Sequence, residues 1–125
     1  MLKALSTLSL SAALLIPAFA MADDAAMAAA GEQIFATQCT ACHSPDSSKN
    51  TFGPSLTGVV GREAGSLPRF AYSEAMSKAD FTWTEENLRK WISNNEAFVP
   101  GTRMRHVEIT DQAEQDYLIS YLKTL

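Results

Sequence analysis

The chain has 125 residues, 46% of them apolar, which suits one small domain and excludes two. Ten Lys and Arg stand against fourteen Asp and Glu, a formal charge of −4 without a basic cluster, which excludes a nucleic-acid-binding surface. The two cysteines, Cys39 and Cys42, are too close in sequence for a disulfide to add much stability, because the entropic benefit of a bridge grows with the loop it closes.

The first segment reads as an export signal. Lys3 gives a positive start, Ala4–Leu15 is an apolar run, Pro17 follows, and small residues at Ala18, Ala20 and Ala22 give cleavage points after Ala20 or after Ala22. The apolar run is shorter than the ~20 residues of a spanning helix. Residues 1–22 are therefore expected to be removed, leaving a domain over 23–125 in the periplasm with no transmembrane anchor. Loss of Lys3 takes the basic count from ten to nine against fourteen acidic residues, a charge of −5.

Asp23–Ala30 reads as a frayed, alanine-rich lead-in, and the spacing of Ile34, Phe35 and Cys39 predicts a helix from Gly31 through about Ala41. Ser44–Phe52 is polar loop, and Gly53–Gly61, with three glycines and Pro54, is irregular backbone. Ser73–Ala79 is a short helix. Thr82 with Glu85 forms a capping box, Thr84 is a rival cap, and either starts a helix running to about Asn94. Pro100-Gly101 breaks the chain. Thr110 or Asp111 caps a last helix, with Ala113, Tyr117, Leu118, Tyr121, Leu122 and Leu125 along one face. Strand alternation is missing, so the fold class is all-α with long loops. Those loops carry the buried-type residues Phe52, Leu56, Val59, Phe70, Trp83 and Phe98, and long loops in a compact domain need something to pack against. A large apolar cofactor meets that need.

Cys39-Thr-Ala-Cys42-His43 is the C-x-x-C-H pattern of c-type haem attachment. Two thiols three residues apart on one helical turn each reach a haem vinyl group, and His43 brings a ring nitrogen beneath the iron. A thioredoxin-like pair would lie near a strand–helix–strand pattern, which this chain lacks. A zinc site wants four ligands, and Cys39, Cys42, His43 and His106 offer no second paired spacing. One haem c, attached through Cys39 and Cys42, is the expectation. For the other axial ligand the candidates are Met76, Met104 and His106. Met76 sits in a short helix as a core filler. Met104 follows the Pro100-Gly101 turn in a polar stretch that gives a buried methionine no other purpose, and a His/Met pair raises the reduction potential. His106 is the rival.

Around these residues the chain resembles the class I cytochrome c family of mitochondria and bacteria, in its c2-like form, from Gly31 to Leu125. The resemblance rests on Cys39–His43, on Gly53-Pro-Ser-Leu-Thr-Gly-Val-Val-Gly-Arg62, on Tyr72, Phe81-Thr-Trp83 and Pro100-Gly-Thr-Arg-Met104, and on Tyr117-Leu-Ile-Ser-Tyr-Leu-Lys123. It implies a single-domain cytochrome c fold wrapped around one haem, with His43 and Met104 on the iron. It further implies that the Pro54 carbonyl orients His43, that Arg62, Tyr72 and Trp83 hydrogen-bond the propionates, and that Gly31 and Phe35 pack against Leu118 and Tyr121. The chain departs from the family at Trp91, where a tyrosine usually stands beside the methionine ligand, at Arg103, often a lysine, and at His106, often an aromatic. The lysine ring around the haem edge is reduced to Lys78, Arg89, Lys90, Arg103 and Arg105. The implied function is single-electron transfer between redox partner proteins, without catalysis, by a monomer. The alternatives are a dedicated subunit of a periplasmic dehydrogenase and a haem peroxidase-like enzyme.

Overall fold

A computed structural model of the chain describes residues 19–46 and 48–125, with side chains described from Asp23 onward. The expected export segment lies mostly outside these residues. Among the described residues five helices follow in order: α1 Phe19–Gln38, α2 Glu74–Ser77, α3 Glu85–Ser93, α4 Asn95–Phe98 and α5 Gln112–Leu122. Among the described residues the only extended pairing is an isolated antiparallel bridge between Glu63 and Thr82.

Helix α1 includes the stretch expected to fray. Asp23–Ala30 is helical throughout, as its alanines favour, since alanine loses no side-chain entropy in a helix. Ala20 and Ala22 fall within the first turns of α1, so cleavage at either would trim a helix. The regular helix stops at Gln38, earlier than expected, and a turn carries the chain onward: Cys39 N donates to Phe35 O (2.9 Å), and His43 N donates to Cys39 O (2.9 Å).

Caps set the remaining helix starts. Ser73 accepts from Met76 N, Thr84 from Asn87 N, Asn94 from Ala97 N and Asp111 from Glu114 N. Each side-chain oxygen satisfies an amide that a helix start leaves without a partner. Thr84, and not Thr82, is therefore the cap of α3. Thr82 is held instead in the extended bridge, where its carbonyl accepts from Asn87 Nδ2 (2.8 Å). Helix α4 was not foreseen, being a single turn between α3 and the Pro100-Gly101 turn.

α1 packs on α5, and α3 contacts both α4 and α5. The core contains Phe35, Val59, Met76, Trp83, Leu88, Trp91, Ile92, Val99, Ile109, Leu118, Ile119 and Leu122. At about 1.5–3 kcal/mol for each large side chain removed from water, this cluster is the main stabilising term of the polypeptide. The buried face of α5 matches the expected stripe only in part. Gln115, Leu118, Ile119 and Leu122 are buried, whereas Ala113 is exposed and Tyr117 and Tyr121 are half-buried. Gln115 tolerates burial because its Nε2 donates to Ser93 Oγ (2.7 Å) and Ile109 O (2.8 Å). Of the loop aromatics expected inside, Trp83 is buried, Phe70 and Phe98 are half-buried, and Phe52 is 85% exposed.

Candidate functional site

The turn after α1 presents Cys39, Cys42 and His43 together. Both cysteines are free and half-buried. Burial, helped by the nearby Cys42, pushes the Cys39 thiol up to about 11, so Cys39 stays protonated at neutral pH and is a poor partner in disulfide exchange. His43 is only 6% exposed. Its Nδ1 lies 2.9 Å from the Pro54 carbonyl oxygen. A carbonyl only accepts, so Nδ1 carries the proton and Nε2 keeps a lone pair for a metal. Burial also lowers the His43 pKa from its ordinary value, against the opposing pull of the Pro54 bond, which keeps the imidazole neutral as a ligand must be.

The backbone around His43 is built for that ring. A Cβ on Gly53 would lie 2.7 Å from His43 Cε1 and 2.8 Å from Nδ1, so only glycine leaves room for the imidazole. Gly53 N and Thr51 Oγ1 both donate to Cys42 O, at 2.7 and 2.6 Å. Asn50 Oδ1 accepts from Ser55 N at 2.7 Å, which fixes the loop on the far side of Pro54. Gly53 had no assigned role in the sequence; its place directly before Pro54 was the available signal.

Arg62 is held by the same loop, its Nη1 donating to Thr57 O (3.1 Å) and Nη2 to Ser55 O (3.0 Å). Its Nε is buried and has no partner among the described residues. Tyr72 is close enough to act on Arg62 electrostatically, opposing the effect of burial on its pKa. Trp83 joins the group through the backbone, donating from N to Arg62 O at 2.8 Å, and its ring meets Trp91 edge-on at 5.2 Å. Arg62, Tyr72 and Trp83 are thus brought together, with Trp91 beside Trp83.

Met104 is half-buried and packs against the core cluster that includes Trp83 and Trp91. Met76 is a buried member of that cluster on α2, as expected of a core filler. His106 faces backbone with both ring nitrogens, Nδ1 at 2.6 Å from Val107 O and Nε2 at 3.3 Å from Trp91 O.

These residues fit a haem c. Free paired thiols, a histidine with Nε2 uncommitted and a buried guanidinium nitrogen lacking a partner meet three needs: covalent anchorage, axial ligation and neutralisation of a propionate. Bound there, the group supplies an iron that gains and loses one electron. The Pro54 carbonyl orients the His43 imidazole and holds its proton at Nδ1, so that Nε2 would be the nitrogen offered to iron. We expect Cys39→Ala or Cys42→Ala to reduce covalent haem yield severalfold in the exported protein, measured by pyridine haemochrome against total protein; full loading of either variant would contradict attachment at that cysteine.

The expected basic patch is largely neutralised. Lys78 pairs with Glu74 (2.6 Å), Arg89 with Asp116 (2.5 Å), Lys90 with Glu86 (2.7 Å) and Arg105 with Glu96 (3.3 Å). Arg103 donates to the Ala71 carbonyl.

Comparison with known proteins agrees with this chemistry. The Cytochrome c family model matches residues 28–125. The chain is 43% identical to cytochrome c2 of Blastochloris viridis over 97 residues, 77% of this chain and 76% of that one. It is 41% identical to cytochrome c2 of Rhodopila globiformis, covering 76% and 90% of the two chains. Among solved structures, cytochrome cH from Methylobacterium extorquens superposes with a TM-score of 0.73 at 43% identity, covering 78% of this chain and 98% of that one. The chain belongs to the cytochrome c family: it is a c2-like, all-α, monohaem class I cytochrome that carries electrons on a covalently bound haem c.

Proposed function

We propose that this cytochrome is an exported carrier, not an enzyme, whose iron lies between His43 and Met104 and passes single electrons between periplasmic redox partners. The observation that carries the reading is the buried His43, with Nδ1 committed to Pro54 and Nε2 left for iron. Met104 is preferred to His106 as the second ligand because both nitrogens of His106 already face backbone carbonyls. With both axial positions filled, no site remains for oxygen or peroxide, and the family's electron-carrier character favours that reading over a peroxidase-like one. Cys39 and Cys42 anchor the haem, Arg62, Tyr72 and Trp83 face its propionates, and Trp91 lies near the methionine ligand. Cleavage after Ala20 or Ala22 releases residues 21–125 or 23–125, and among the described residues no helix is long and apolar enough to cross a membrane. Because four of the five cations in the expected patch are paired with carboxylates, partners presenting a strongly acidic face gain little electrostatic steering.

An optical spectrum of the oxidised, haem-loaded protein tests the ligand pair. The weak near-infrared band of iron–thioether sulfur bonding is expected. Attached haem without that band would remove Met104 from the iron and return the choice to His106 or an open site.

A further inference from the structure

The loop that carries Met104 has little backbone support of its own. Among the described residues, residues 103–108 make no backbone–backbone hydrogen bond; the nearest anchors are Thr102 N to Val99 O (3.1 Å) and Ile109 N to Ile92 O (2.9 Å). A side chain projecting from such a segment is placed only as well as its Cα is placed. Side chains must therefore hold the stretch: Arg103 reaches the Ala71 carbonyl, Asn94 donates to Glu108, and α4 supplies Asn95 and Glu96.

Asn95, the first residue of α4, is buried at 7% exposure, and its Nδ2 donates to the Met104 carbonyl at 2.6 Å. Because the acceptor is a carbonyl, the amide nitrogen and not the oxygen faces it. The next residue, Glu96, takes Gly101 N at 3.0 Å and pairs with Arg105 at 3.3 Å. Arg105 Nη1 in turn donates to Thr102 O (2.6 Å) and Met104 O (2.9 Å). Arg105 is exposed and shares its donor among three acceptors. Asn95 is the shielded donor, and a hydrogen bond screened from water holds its geometry more firmly than one at the surface.

We infer that Asn95 is a positioning residue for the Met104 ligand: its amide clamps the Met104 carbonyl and so holds the thioether on the iron against competing ligands. This rests on the reading that Met104 ligates the iron. The ease with which an added ligand displaces Met104 reports the clamp directly. Loss of one net hydrogen bond is expected to tighten binding of such a competitor roughly three- to tenfold.

The test is an optical titration of the oxidised, haem-loaded protein with imidazole, comparing the parent with Asn95→Ala, Asn95→Leu and Met104→Ala. Asn95→Ala removes the donor and leaves space, whereas Asn95→Leu removes the donor and fills it. Both are expected to bind imidazole more tightly by that factor and to show a weaker near-infrared band with unchanged covalent haem. Parent-like affinity in both would overturn the proposal. So would a change confined to Asn95→Ala, because that pattern belongs to a cavity and not to a lost hydrogen bond. Met104→Ala separates the two readings. If it binds imidazole far more tightly than the parent while the Asn95 variants do not, only the clamp is lost. If it binds no more tightly than the parent, Met104 ligation fails and the clamp fails with it.

Discussion

Replacing Met104 by alanine is expected to leave the haem covalently attached and to lower the reduction potential by on the order of 0.2 V, part of the ~0.8 V span that axial ligands command. On the proposed ligation, the Met104 thioether would be a soft, neutral donor favouring the reduced iron, and its loss would open the position to water or an added anion, which favour the oxidised state. Attachment is unaffected because Cys39 and Cys42 lie in the turn after α1, on a different segment of the chain from the Pro100–Met104 loop. His106 does not simply take over, since both its nitrogens already face carbonyl oxygens, at 2.6 and 3.3 Å. A potentiometric titration paired with azide or imidazole binding checks the result. An unchanged potential with no new ligand binding would sink the assignment.

The second large effect is structural. Gly31→Ala is expected to destabilise the haem-loaded protein by ~3 kcal/mol, the upper end of the overpacking range, and to lower its denaturant midpoint accordingly. In an isolated helix the change would stabilise by ~1 kcal/mol, since alanine is the better helix former. Here an added Cβ would lie 1.9 Å from the Tyr117 carbonyl oxygen, 2.5 Å from its carbon and 2.8 Å from Tyr121 Cβ. Two of these atoms are backbone of α5, so no rotamer change relieves the clash and the helices must move apart. That separation loosens the Phe35–Tyr121 ring contact at 5.3 Å and the burial of Leu118. The sign decides the matter: a midpoint that rises would mean that α1 and α5 do not meet at Gly31.

How much of this was legible in the chain varies residue by residue. Cys39, Cys42 and His43 were readable because their chemistry depends on separation along one helical turn, a quantity written directly in sequence. The close approach at Gly31 came only through the family resemblance, since the chain alone put this glycine at the start of a helix, and the structure places it inside α1 against the Tyr117 carbonyl of α5. Asp111 was one of two named caps, and its choice over Thr110 came from the amide it meets, Glu114 N. The choice of Thr84 over Thr82 was likewise decided away from the motif, by the pairing of Thr82 with Glu63. The α5 stripe held at Leu118, Tyr121, Leu122 and Leu125 but was too narrow, because α5 packs against both α1 and α3 and so buries Gln115 and Ile119 as well.

The haem-attachment turn, the all-α class and the candidate ligand on the Pro100–Met104 loop were written in the chain, because each rests on spacing or on residue chemistry local to a few positions. Which groups meet across distant segments came from the fold. It set the Pro54 carbonyl 2.9 Å from His43 Nδ1, a contact the family resemblance had implied, and it seated the ring against Gly53, left Arg62 Nε buried without a partner among the described residues, and brought the Asn95 amide to Met104. Each of those is a hydrogen bond, or the lack of one, between groups apart in the chain. A sequence states which donors and acceptors exist; the fold alone states which of them meet out of reach of water.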